Sequence, residues 1–193
     1  MPIAINGSGT VTGISVGGLP DGIVDTDMLA AKAATAPKLG NGSILQVQSV
    51  TINSTVSATA AGTTVYADIA GMTITITPAA STSKFLITCH LNWGCDTVGR
   101  NDFIKLVKDG SDVAAAKGTL GASGKNGLAY CRLGATNEQR NHSMAHLDTA
   151  GGTSAITYKL QWSGEGGTRY LNRRGDSTAH GSVSSFTVME VAA

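Results

Sequence analysis

Lys84-Phe85-Leu86-Ile87-Thr88-Cys89-His90-Leu91-Asn92-Trp93-Gly94-Cys95 decides the fold. Phe85, Ile87, Cys89, Leu91, Trp93 and Cys95 recur at every second position. Lys84, Thr88, His90 and Asn92 take the alternate positions, with Leu86 the exception. A period of two places successive side chains on opposite faces of a β-strand, one buried and one wet. Two further stretches repeat the pattern. Met72, Ile74 and Ile76 alternate with Thr73, Thr75 and Thr77 until Pro78 ends the strand. Ile156, Tyr158, Leu160 and Trp162 alternate with Thr157, Lys159 and Gln161. Phe103–Lys108 runs into Asp109-Gly110, a strong hairpin signal, and Val113 starts the return. Ser43–Thr55, Thr63–Thr77, Leu128–Leu133 and His142–Leu147 read as further strands. Val183–Val191 is apolar on both faces, which suits the centre of a sheet or a subunit contact. About eight strands with glycine-rich connections predict an all-β, jelly-roll-like β-sandwich head over residues 43–193.

The chain before residue 43 is of another kind. In residues 1–24, Ile3, Ile5, Val11, Ile14, Val16 and Leu19 are separated by Gly, Ser and Thr. That spacing gives short extended pieces with bends. So few large side chains cannot fill a core, so the arm is either flexible or docks on a partner. Gly7-Ser8-Gly9 lacks the Lys and the following helix of a phosphate loop. Over residues 25–42 a short helix is expected. Asp25 or Thr26 caps it, Asp27 suits its first turn, alanine favours it, and Pro37 with Gly40 stops it. A helix this short needs packing to persist. Met28, Leu29, Ala33 and Ala36 form a narrow stripe of small residues. The stripe fits either close packing of identical helices about one axis or a helix lying on its own head.

Composition restricts the function. The formal net charge is +1, which offers no basic footprint for nucleic acid. Residues 1–80 carry four acids and two bases, whereas residues 81–193 carry nine acids and twelve bases. No apolar run reaches the ~20 residues of a membrane span, and the N-terminus lacks a signal-peptide pattern, so folding in a cytoplasm is expected. Three cysteines, an odd number, argue against a disulfide framework.

The opening Pro2 to Asp25, the run from Asp25 through Lys38-Leu39-Gly40, and Met72–Pro78, Ser83–Leu91, Ile156–Trp162, Tyr170–Arg173 and Phe186–Val191 together resemble fibre-like virion structural proteins of marine and cyanobacterial tailed bacteriophages. The resemblance implies a β-sandwich head, a homotrimer, and attachment to other phage virion proteins through the N-terminal arm. The chain departs from long tail fibres in having no extended repetitive shaft. The expectation is therefore a short fibre or spike of the virion, with a capsid decoration or cement protein as the alternative.

Catalytic chemistry finds little support in the sequence. A glycosidase needs two carboxylates across a cleft. Asp96, Asp102, Asp109, Asp112, Glu138, Asp148, Glu165 and Asp176 lie mostly beside Gly, Ser or Thr and read as turn residues. Glu190 sits late in an apolar strand and reads as a paired edge carboxylate. Cys89 and Cys95 read as small core side chains, and Cys131 has no local partner. His142 and His146 have the spacing of a helical metal pair, but on a strand they stand too far apart for one ion. A three-fold axis could still gather one His from each chain. His90 and His180 read as surface residues. No cofactor, metal site or catalytic residue is expected. Arg169, Tyr170, Asn172, Arg173 and Arg174 form the candidate recognition surface, on a loop or edge strand. Tyr and Arg there either contact a host-surface glycan or guard a solvated β-edge. Arg174-Gly175-Asp176 reads as a glycine turn between charges.

Overall fold

The structure, a computed structural model, describes residues 39–119 and 125–193. Leu39–Ala193 forms one compact unit. The expected arm (Ile3, Ile5, Val11, Ile14, Val16, Leu19) and stem (Met28, Leu29, Ala33, Ala36) lie outside the described residues.

The head is built from antiparallel strands. In chain order they are β1 (Ile44–Ile52), β2 (Val56–Thr59), β3 (Gly62–Ile76), β4 (Lys84–Cys95), β5 (Asp102–Lys108), β6 (Ser111–Asp112), β7 (Ala129–Cys131), β8 (Arg140–Thr149), β9 (Ile156–Gly164), β10 (Thr168–Leu171) and β11 (Ser184–Val191). One 3-10 turn spans Ala114–Ala116. In the first sheet β4 pairs with β8 on one side. On its other side it pairs with β11 and, further along, with β10. β1 covers β11 and β2 covers β10. The second sheet runs β3-β9-β5, and both β6 and β7 pair with β5. With β2, β6 and β10 set aside as additions to the sheets, the eight remaining strands in chain order form one sheet as first-eighth-third-sixth and the other as second-seventh-fourth-fifth. That is the order of a jelly roll, two Greek keys rolled into a sandwich. The expected fold class is thus observed for the head.

The core lies between the sheets. The β4 side chains Phe85, Ile87, Leu91 and Trp93 are buried, as are Ile156, Tyr158, Leu160 and Trp162 of β9. Trp93 meets Trp162 edge-on across the sandwich, with centroids 5.3 Å apart. Phe85 meets Tyr158 in the same manner at 5.9 Å. Such pairs add about 0.5–1.5 kcal/mol to the area they bury. Cys89, Cys95 and Cys131 are buried and free. Burial pushes the Cys89 and Cys131 thiols up to about 12.

Local signals hold at several places. Asp109 (φ 48°) and Gly110 (φ 82°) both take left-handed backbone and close the β5–β6 hairpin. The Thr157 N–H donates to Asp109 Oδ1 at 2.8 Å, tying that turn to β9. Two expectations are corrected. The stretch expected as a loop or edge strand contains β10, which lies inside the first sheet between β4 and β2. β11, expected to hold an edge carboxylate, runs between β1 and β4.

Candidate functional site

The candidate recognition residues follow from the course of β10. Side chains alternate along it, so Arg169 and Leu171 turn inward and are buried, while Tyr170 turns outward and is half-buried. Arg169 is 1% exposed and pairs with the equally buried Asp102 of β5. Its Nε donates to Asp102 Oδ1 at 2.8 Å, and its Nη2 donates to the same oxygen. Gly164 lies against this pair, and a Cβ there would overlap both side chains. Arg169 therefore joins the two sheets and is not a recognition residue. Asp102, expected as a turn acid, is instead the buried partner of that bridge.

Asn172 is also buried. At φ 65° it adopts the left-handed conformation that Asn tolerates. Its Nδ2 donates to the carbonyls of Ile52 (2.8 Å) and Ser54 (2.9 Å). Its Oδ1 accepts from the Ser184 hydroxyl at 2.6 Å. The side chain ties the end of β1 to the start of β11, so it too leaves the recognition set.

Tyr170, Arg173 and Arg174 remain partly exposed. The Arg173 guanidinium stacks over the Tyr170 ring at 4.1 Å. Its Nε donates to the Arg174 carbonyl at 2.9 Å and its Nη2 to the Gly175 carbonyl at 3.2 Å. Arg174 pairs with Asp176 at 2.7 Å. Gly175 is required because a Cβ there would overlap the Cys95 carbonyl oxygen. Where a glycine turn was expected, the chain bends at Gly175 and Asp176, and the flanking charges of Arg174 and Asp176 neutralise one another.

The other acids of interest also have partners. Glu190 is fully buried. It accepts from Gln46 Nε2 and from the Ala79 N–H at 2.7 Å. Burial alone would raise its pKa, but these donors hold the carboxyl below the ordinary glutamate range. Asp148 of β8 accepts from the Tyr158 hydroxyl (2.7 Å) and Lys108 Nζ (2.9 Å). Burial opposes ionisation there too, and the same two donors bring the carboxyl below its usual value. His142 and His146 lie on one side of β8, opposite Leu91 and Ile87. Four strand positions separate them by about 13 Å, too far for one ion. Burial lowers the pKa of His142, and Arg140 adds to the effect. Among the described residues no group of three or more His, Cys, Asp or Glu could hold a metal ion. No described helix is long and apolar enough to cross a membrane.

Sequence reasoning missed Asp102–Arg169 because each residue sits beside ordinary turn signals and only the fold joins them. Glu190 was visible as the one acid inside an apolar strand.

Comparison with protein-family models and with curated proteins finds no match. Among solved structures, the chain is similar to the T=1 particles derived from infectious bursal virus. The TM-score is 0.39 at 14% identity, covering 78% of this chain and 37% of that one. It is also similar to the VP2 subviral particle of infectious bursal disease virus. That TM-score is 0.37 at 15% identity, covering 77% of this chain and 42% of that one. The chain spans less than half the length of either. Values this low leave the assignment of the fold to the strand order itself.

Proposed function

We propose that the protein is a non-enzymatic structural component of a bacteriophage virion: a short fibre or spike that residues 1–24 anchor to the particle and that displays the jelly-roll head. One observation carries the reading. A complete sandwich begins at Leu39, behind residues whose charges are only Asp21, Asp25, Asp27, Lys32 and Lys38 and whose large apolar side chains are few. In this reading the segment, too poor in apolar side chains to fold alone, finds cover on another surface of the particle. In the homotrimeric form of the reading, residues 25–36 of three chains pack about one axis. The head's acids fit an architectural role, because Asp102, Asp148 and Glu190 are each bound to groups of the sandwich itself. Tyr170, Arg173 and Arg174 are the part of the expected recognition set that a host glycan could reach. The alternative role, capsid decoration, uses the same head to clamp shell subunits.

Deleting residues 1–24 tests the anchoring. The expected outcome is a soluble head, with an unchanged β-rich circular dichroism spectrum, that is missing from purified particles. Undiminished incorporation of the truncated chain would refute the anchor. Particle survival on heating, with and without the protein, separates the roles: a fibre leaves it unchanged, and a cement lowers it on removal.

A further inference from the structure

The two outer faces of the sandwich differ. The outer face of the second sheet is charged and internally paired. Asp68 of β3 accepts from Lys159 Nζ (2.8 Å) and Gln161 Nε2 (2.6 Å) of β9. Lys105 of β5 pairs with Asp112 at 2.6 Å. The outer face of the first sheet is built otherwise along β1, β4, β8 and β11, while at β10 the Arg173 guanidinium covers Tyr170. Of the side chains that β1, β4, β8 and β11 turn outward, Lys84 alone is a Lys, Arg, Asp or Glu.

Across this face runs one apolar row. Strand register places Leu147 of β8 beside Leu86 of β4, Leu86 beside Met189 of β11, and Met189 beside Val47 of β1. Ile44 and Val191 form the next cross-strand pair and widen the row. Val47, Ile44 and Leu147 are 51%, 57% and 58% exposed. The row explains Leu86, the one break in the β4 alternation: it faces outward because an apolar row on that side continues through it.

We propose that this face packs against the same face of other copies of the chain. Its electrical character selects the occupant. A surface almost without charge is matched by one equally without charge, since a charged partner would lose hydration and gain no counter-ion. On the head, the opposite outer face carries fixed ions, so the matching surface is this face itself. Like surfaces meet across a symmetry axis. The area suffices. Four strands spaced ~4.8 Å apart, over ten residues of ~3.3 Å each, present roughly 630 Å². Two copies together bury about 1,250 Å², within the range of specific interfaces. The proposed contact is a two-fold one made by the head, separate from the three-fold packing proposed for residues 25–36, and it rests on the virion reading for its setting alone.

The test uses the purified full chain, so it is read independently of whether the protein joins a particle. Sedimentation velocity over a dilution series should show an oligomer for the native protein. The double variant Val47→Lys/Leu147→Lys should fall to half that mass or less, and Thr75→Lys on the opposite face should leave the mass unchanged. A second measurement covers misfolding of the double variant. The native cysteines are all buried, so the thiol of a Leu147→Cys variant can be labelled selectively with a maleimide. It should react more slowly as protein concentration rises, while that of Thr73→Cys reacts at a constant rate. A native protein that is monomeric throughout overturns the proposal. So does an unchanged mass for the double variant, or equal labelling at the two positions. Protection of the Leu147→Cys thiol in a species of monomer mass would assign the cover to the chain's own residues and overturn it equally.

Discussion

At the residue scale, the Arg169–Asp102 bridge shows how tertiary context decides the role of a charge. Arg169 stands in a sequence of three arginines and a tyrosine that reads as a surface stretch. The register of β10 against β4 turns it inward, to a site where both partners are 1% exposed. Removing one member of a buried pair leaves the other as an uncompensated charge, which costs about 3–5 kcal/mol. Asp102→Asn and Arg169→Met should each lower stability by that order in urea unfolding. The double variant should lose less than the sum of the two. Additive losses would show that the side chains are not coupled. Neither partner was legible from sequence, because nothing local links positions 67 residues apart. Cys89, Cys95 and Leu86 were legible, because the period of β4 places them by counting.

At the element scale, legibility followed the length and regularity of each strand. β4 and β9 announce themselves through long alternations, and β5 through its Asp109-Gly110 turn. β10 is four residues long and follows Gly166-Gly167. Its pairing is supplied by β4 and β2 and not by its own propensity. β11 shows a second limit. Its two-sided apolar pattern marks it as central, yet Glu190 suggested an edge. The carboxylate is accommodated because Gln46 and the Ala79 N–H supply donors to it inside the sandwich. Glu190→Ala should therefore cost about 1.5–3 kcal/mol, the range for hydrogen bonds to a charged group. The pH dependence follows from the sign of the shift. The folded pKa of Glu190 lies below its unfolded value, so its contribution is full above the unfolded value. It is lost as pH falls through the folded one. Asp148 acts in the same direction. Urea midpoints should decline below about pH 4.3, and Glu190→Gln should flatten that decline. A midpoint that rises on acidification would contradict the assignment.

For the whole molecule, the proposed reading is that of an architectural part. The core is closed by Trp93 against Trp162 and Phe85 against Tyr158. Three inward-facing acids are held by the sandwich's own donors, and the outer face of β1, β4, β8 and β11 is left nearly free of charge. The head's fold was legible in the sequence because alternation sets which face is buried and turn residues set where strands end. The expected recognition cluster was legible only in part: Tyr170, Arg173 and Arg174 reach the surface, whereas Arg169 and Asn172 serve the interior. The apolar row across β8, β4, β11 and β1 could not be read from sequence, since its members become neighbours only through the register of four strands. The virion assignment is tested most directly by immunogold electron microscopy of purified particles, using an antibody against the head. The account predicts gold at a fixed position on the particle exterior, lost when residues 1–24 are deleted. Head antigen confined to the soluble fraction of the lysate, with particles unlabelled, would contradict it.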